Sequence, residues 1–327
     1  MKKMIALMMA VLMMLSLIAC GSADSGAADS GNADAAYTIG VCQLVQHVAL
    51  DAATQGFVDT VNAALGEENI NWDVQNAAND TNTCNTIVNS FVSNNVDLIM
   101  ANATPALQAA SVATGSIPIL GTSVTEYGVA LGIENFSGLV GTNVSGTSDL
   151  APLDEQANMI VEWCPDAKTV GLLYCSAEAN SQYQVDEVQK LLEAAGLTCT
   201  QYPFTDSNDI QAVCQMAADN SDVIYVPTDN TVASNTGIID GICHGKVPVF
   251  AGEEGICGGC GVATLSISYY DLGVATGEMA VKILKGEESV AEMEIGYAAT
   301  VTPKYNAANC EALGLTAPEG YEAISVD

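Results

Sequence analysis

Arginine is absent from all 327 residues, and eight lysines face 39 acidic residues, leaving a formal net charge of −31. A chain of that sign repels phosphate backbones, which excludes nucleic acid as a natural partner. Without arginine there is no bidentate clamp for a carboxylate or phosphate. An anion must be held by lysine, by hydroxyls, or by the free N–H groups at helix starts. Aromatic residues make up only 6% of the chain, which weighs against a sugar site built on stacked rings. The only histidines are His47 and His244, and no Cys/His spacing around them suits a metal. There is no serine-centred elbow and no phosphate loop, so the sequence asks for no metal, no cofactor and no catalytic residue. What it does have is a hydrophobic content of 49%, enough for two cores of ordinary domain size.

Lys2 and Lys3 precede an apolar run from Met4 to Ala19 that is short for a membrane span and closes on Leu17-Ile18-Ala19-Cys20. The closing residues resemble the lipobox of bacterial lipoproteins. That resemblance makes residues 1–19 a signal peptide and Cys20 the lipid-bearing first residue of the mature chain. Residues 20–36, rich in Gly, Ser, Asp and Ala without apolar periodicity, read as a flexible tether. The body then lies outside the cytoplasmic membrane, lipid-anchored to it.

The body repeats itself. Val223 to Val226 form a short apolar run broken by Pro227-Thr228-Asp229-Asn230, after which helical spacing resumes. The same order occurs at Leu98 to Met100 followed by Thr104-Pro105. Ile39 matches Val170, Asp97 matches Asp222, and Pro118 matches Pro248, so the offset stays between 125 and 131 residues. The alternation of strand and helix within each copy predicts an α/β protein of two doubly wound parallel-sheet lobes joined by a multi-strand hinge. The expected first lobe comprises residues 37–148 with 266–290, and the second 149–265 with 291–327. A strand near Leu139 to Val144 is expected to run into a connector at 145–149, and a single helix is expected from Asn230 to Cys243.

In open parallel sheets a ligand lies beyond the carboxyl ends of the strands. Two facing lobes put the loops at 43–47, 103–105, 122–126, 176–181, 228–230 and 252–254 around one cleft. Glu126, Glu178, Asp229, Glu253 and Glu254 suit an ammonium group, and the helix starts near Thr104, Ser181 and Asn230 suit a carboxylate; a free amino acid carries both. Thr104, Asp229 and Asn230 equally suit simple helix caps, the commoner use of such residues at strand–helix junctions.

Six segments together resemble one known family: His47-Val48-Ala49-Leu50-Asp51, Ala103-Thr104-Pro105-Ala106, Ser176 to Ser181, Val226 to Ser234, Val249 to Glu254 and Ser266 to Gly273. They look like the ABC-transporter substrate-binding proteins of the tryptophan/tyrosine type, with the type I periplasmic binding-protein fold, over Tyr37 to Leu315. Where that family usually carries an acid before the His and a Pro after it, Gln46 and Val48 stand here. The resemblance implies a monomeric receptor that closes about its hinge on a small amino acid, aromatic in members with assigned ligands. It would deliver that ligand to a permease driven by a cytoplasmic ATPase. Within it, Thr104, Ser123 and Asn180 would hydrogen-bond the ligand, and Asp229 and Glu253 would hold its ammonium. His47, Tyr269 and Tyr270 would border its side chain, the tyrosines suiting hinge packing as well. Ser181, Thr228, Asn230 and Asp271 complete the candidate set. A sugar or nucleoside receptor of the same fold is the alternative.

Ten cysteines follow Cys20. Cys257-Gly258-Gly259-Cys260 is the C-x-x-C among them and raises a third reading, an exported thiol-redox enzyme. Its expected place in a turn between strands, away from a helix start that would stabilise a thiolate, favours a local disulfide or a glycine-rich turn instead.

Overall fold

The computed structural model describes residues 35–325. The expected leader, the lipid-acceptor Cys20 and all but the end of the tether lie outside the described residues. The chain opens with β1 (Tyr37–Gln43), α1 (Val48–Leu65), β2 (Ile70–Asn76), α2 (Thr81–Ser93), β3 (Leu98–Asn102), α3 (Thr104–Ala113), β4 (Ile119–Val124), α4 (Tyr127–Leu131) and β5 (Val144–Ser148). It continues with α5 (Leu153–Trp163), β6 (Thr169–Cys175), α6 (Ala179–Ala194), β7 (Thr198–Phe204), α7 (Ile210–Asn220), β8 (Val223–Val226), α8 (Asn230–Ala233), α9 (Thr236–Cys243), β9 (Val249–Ala251), α10 (Glu254–Cys260) and β10 (Ala263–Ser266). Then follow α11 (Tyr269–Leu284), β11 (Gly296–Tyr297), β12 (Thr302–Tyr305), α12 (Ala307–Leu313) and β13 (Glu322–Ala323).

These strands form two sheets, ordered β11-β5-β4-β3-β1-β2 and β13-β12-β10-β9-β8-β6-β7. Every pairing is parallel except β10 with β12. The central strands β3 and β8 are buried along their whole length, as helices on both faces require, which is why both read as continuous apolar runs. The chain passes between the sheets after β5, after β10 and between β11 and β12, giving the expected hinge of three crossings.

The matched aspartates do the same work in both sheets. Asp97, just before β3, accepts the Thr38 N–H at 2.7 Å. Asp222, just before β8, accepts the N–H groups of Lys168 and Thr169, each at 2.8 Å. In each sheet a carboxylate ties the start of one strand to its neighbour.

Helix α11 returns to the first sheet because its small residues let it press against α1. A Cβ on Gly273 would lie 2.1 Å from the Ala53 carbonyl oxygen, and one on Gly56 would lie 2.2 Å from that of Tyr270. This close crossing seats the buried Phe57 and Leu272; fully burying one such side chain is worth about 1.5–3 kcal/mol.

Four expectations are corrected. The segment 145–148, expected as a connector, is most of β5, and Leu139 makes only a single antiparallel bridge to Glu294. Its small polar residues are buried because their hydroxyls are paired: Ser145 donates to the Met293 carbonyl at 2.9 Å, Ser148 donates to the Thr125 carbonyl at 2.8 Å, and Thr147 lies 2.8 Å from the Thr276 hydroxyl. Secondly, β11 pairs with β5, so the last crossing follows Tyr297 rather than residue 290. Thirdly, the helix expected from Asn230 to Cys243 is broken into α8 and α9 at Ser234 and Asn235. Finally, Cys257 and Cys260 lie on helix α10, not in a turn, and both thiols are free and buried. Burial pushes both thiols well above their ordinary range, which disfavours the thiolate a redox centre needs.

Candidate functional site

Backbone strain marks the first lobe's side of the cleft. Ala103, between β3 and α3, has φ +88° and ψ 157°, a region ordinarily reserved for glycine, and Ser123 near the end of β4 has φ +54°. Each such conformation costs on the order of 1–3 kcal/mol and persists where surrounding structure enforces it. At Ser123 the β4–β5 register shifts, so the residue expected in a loop belongs to a bulged strand end. The consequence at Ala103 is a helix start with no side-chain cap. The first-turn amides of the ten-residue α3 are left to an external acceptor. Thr104 is buried there, and the buried Ser123 hydroxyl has no hydrogen-bond partner.

On the other lobe most of the expected acids are occupied. Asp229 accepts the Val232 N–H at 2.9 Å and the Cys175 N–H at 2.7 Å. Glu253 caps α10 by accepting from Gly255 and Ile256. Capping, the plainer of the two sequence readings, is what both side chains do. Burial, and for Asp229 the neighbouring charge of Glu178, push each carboxyl up to about 7. Glu178 accepts from both the backbone and the side chain of Asn230 and of Thr231. Ser181 is buried in the first turn of α6. Asn180 donates its amide to the Thr228 carbonyl at 3.1 Å, while its Oδ1 is buried without a partner.

The acceptor that sequence reasoning missed is Asp149. It follows β5 at the first lobe crossing and is 3% exposed, too little for hydration to carry its charge. Its Oδ2 accepts the Tyr269 hydroxyl at 2.9 Å, and Oδ1 has no hydrogen-bond partner of normal geometry. Burial raises its pKa against the pull of the Tyr269 and Thr125 hydroxyls. Its place at the carboxyl end of a strand was the available signal, hidden because that strand read as a linker.

Beside this polar group lies a cavity of about 800 Å³ between the lobes, lined among others by His47, Ala49, Glu253, Ile267, Tyr269 and Lys304. A volume of that size suits a small organic ligand. Lys304 is paired with Glu254 at 2.7 Å. Glu253 and Tyr269 join the cavity to the Asp149 group, since both line the one and act electrostatically on the other. Tyr270 stands at the rim, 42% exposed, with its hydroxyl on Asp59 of α1. Asp271 is exposed in the first turn of α11, outside the cavity lining, and its backbone N–H goes to the Ser268 hydroxyl. Thr104, Ser123, Asn180, Ser181, Asp229 and Asn230 are buried and Thr228 is half-buried, and all seven also lie outside that lining. The two lobes touch directly: His47 Nε2 lies 3.2 Å from Asn230 Oδ1, and Asn79 donates to the Thr231 hydroxyl at 3.0 Å. The burial of His47 lowers its pKa. Among the described residues no cluster of His, Cys, Asp or Glu suits a metal ion.

Asp149 Oδ1, Asn180 Oδ1 and the Ser123 hydroxyl are buried without partners, the start of α3 carries no side-chain cap, and Tyr269, bonded to Asp149, lines the cavity. Comparison with known proteins agrees with a binding role. The profile described as ABC transporter substrate binding protein matches residues 38–325. A tyrosine-binding protein of Clostridioides difficile (strain R20291) is 35% identical over 260 residues, covering 79% of this chain and 75% of that protein. A crystal structure of an ABC domain from Streptococcus pneumoniae in complex with L-Trp superposes with a TM-score of 0.83 at 31% identity, over 88% of this chain and 99% of that one. The ligand-free, open structure of a substrate-binding protein with adhesive properties from Clostridium difficile is 39% identical, over 89% of this chain and 100% of that one, with a TM-score of 0.68. The fold is that of the type I periplasmic binding proteins. The chain therefore belongs to the ABC transporter substrate-binding proteins, which capture a solute rather than convert it.

Proposed function

We propose that this chain captures a free aromatic amino acid, tyrosine or tryptophan, outside the cytoplasmic membrane and hands it to the permease and ATPase of an ABC importer. In this reading it is a monomer held at the membrane by lipid on Cys20. The observation that carries the ligand class is the presence of buried acceptors lacking partners, Asp149 Oδ1 and Asn180 Oδ1, with Asp149 bonded to Tyr269, which lines the 800 Å³ cavity. The ammonium goes to Asp149 and Asn180, with Glu253 next to them; the carboxylate goes to the α3 amides, Thr104 and Ser123. The aromatic ring fills the cavity beside His47 and Tyr269.

Two lobes contribute these groups, so the full set of contacts exists only when they are closed, and the ligand shifts the open–closed equilibrium by that difference. The relatives support a closed arrangement here. The more similar sequence, open and ligand-free, superposes less well than the less similar one holding L-Trp. Family members are extracytoplasmic, and among the described residues no helix is long and apolar enough to cross a membrane.

The test is thermal unfolding of the protein, stripped of co-purified ligand, against panels of amino acids, sugars and nucleosides. A ligand at a hundred times its dissociation constant adds about 2.7 kcal/mol to the folded state. Stabilisation by Tyr or Trp is the expected result. Stabilisation only by a sugar or nucleoside would keep the fold and discard the ammonium–carboxylate account.

A further inference from the structure

Two hydrogen bonds that bridge the lobes, those of His47 and Asn79, end on neighbouring residues of the second lobe, Asn230 and Thr231. One buried carboxylate orders both. Glu178 Oε2 accepts the Asn230 N–H at 3.1 Å and its side-chain amide at 2.7 Å, and Oε1 accepts the Thr231 N–H at 2.9 Å and its hydroxyl at 2.7 Å. The side chain is 4% exposed, so these bonds are sheltered from water and strong.

The donor directions follow from this carboxylate. An ionised carboxylate only accepts, so the Asn230 amide must turn its Nδ2 toward Glu178 and its Oδ1 toward His47. His47 must then present Nε2–H, the form available to the neutral ring that burial favours. The Thr231 hydroxyl spends its proton on Glu178 and is left as an acceptor, the role Asn79 requires of it. One carboxylate therefore sets both bridges to the same sense.

We propose that Glu178 is a positioning residue for closure: it pre-sets Asn230 and Thr231 as a latch that engages His47 and Asn79 and holds the lobes together independently of ligand contacts. The proposal rests on the closure reading above. It places the latch in the lifetime of the closed state, so it governs release more than capture.

The test uses Glu178→Gln, which puts an amide donor among donors and turns at least one of Asn230 and Thr231 away, and Asn79→Gly, which removes one bridge from the first lobe. Glycine is chosen because Asn79 has φ +62°, where alanine would add strain of its own. Asn79 lies on the surface loop before α2, so this variant tests the latch even where Glu178→Gln fails to fold. Stopped-flow release of L-Tyr or L-Trp is expected to quicken about tenfold in Asn79→Gly, with association changed by less than threefold; Glu178→Gln also frees the Asn180 amide, which donates to Glu178 Oε2 at 3.2 Å, so that variant is read by ligand-free scattering. Small-angle scattering of the ligand-free protein is expected to shift toward the open, larger form. Unchanged release in Asn79→Gly and unchanged scattering in both variants would overturn the latch. If wild type binds neither amino acid, the ligand reading fails separately, and the ligand-free scattering alone decides the latch.

Discussion

The hydroxyl of Tyr269 donates to Oδ2 of Asp149 at 2.9 Å across 120 residues of sequence. Asp149 sits at the first passage between the sheets and Tyr269 at the second, so one hydrogen bond pins two hinge segments together. In the proposed reading hinge and ligand site share this residue, so closure is coupled to the charge of what is bound.

Replacing Asp149 with asparagine keeps its size and leaves an acceptor for Tyr269 but removes the charge. A charge-assisted hydrogen bond contributes about 1.5–3 kcal/mol, so amino-acid affinity is expected to fall roughly 10- to 150-fold by calorimetry. The ligand-free protein should unfold at an unchanged or higher temperature, because a buried charge has gone. Loss of affinity together with a collapse of ligand-free stability would assign Asp149 to the fold instead.

The buried carboxyls set a pH dependence. Asp229 and Glu253 have ordinary values of 3.8 and 4.5 and are raised to about 7 in the folded chain. The folded state therefore holds protons that the unfolded state has released between about pH 4 and pH 7, and stability falls as pH rises through that window. The melting temperature of the ligand-free protein is expected to be several degrees higher at pH 5.5 than at pH 8. Asp222, whose exposed carboxylate is held low by the Lys168 and Thr169 N–H groups, titrates below this window and leaves the profile unchanged there, while His47, lowered by burial, acts in the opposite sense. Glu253→Gln should flatten the profile. A profile that rises from pH 5.5 to 8 would contradict this assignment.

At the α1–α11 crossing, Gly273→Ala drives a methyl group onto the Ala53 carbonyl oxygen, at 2.1 Å in the present geometry. Neither backbone can yield without losing its packing, so a loss of about 1–3 kcal/mol or more is expected in urea unfolding. Gly237→Ala in α9 is the control. Nothing lies within 4 Å of the added methyl, and helix propensity should raise stability by roughly 0.5–1 kcal/mol. Equal effects at the two positions would remove the argument for the crossing.

The cysteines should sort by burial. Cys164 and Cys199 are partly exposed, while Cys257 and Cys260 are buried on α10 with thiols pushed well up. Alkylation of the folded reduced protein is expected to mark the first pair and spare the second in peptide mass spectra. The double change Cys257→Ser and Cys260→Ser should leave ligand affinity within about twofold. Rapid labelling of Cys257 or Cys260 in the native state would reopen the redox reading.

Much of this architecture was legible before any coordinates. The apolar runs at Leu98 and Val223 marked the central strands because strands covered on both faces need no polar alternation. The Asp97–Asp222 match was a sound sign of duplication because each carboxylate holds a strand start. The segment 145–149 reads as a linker because the partners of its small hydroxyl residues are far along the chain, Met293 and Thr276 lying 148 and 129 residues away. The same blindness hid Asp149, whose value as a site comes from its burial and its distant Tyr269. Asp229 is a residue on which sequence leaves both roles open. Its sequence context fits a cap and a ligand acceptor equally, and the structure shows the cap through the N–H groups of Val232 and Cys175.

The most direct test of the central claim is calorimetric titration of the ligand-stripped protein with L-Tyr and L-Trp beside their N-acetyl and carboxamide forms, which remove the ammonium and the carboxylate in turn. The account predicts binding of at least one free amino acid and at least a hundredfold weaker binding of both of its blocked forms, since each strands buried groups without partners. Blocked forms that bind as tightly as the free amino acid, or no binding of either amino acid, would contradict it.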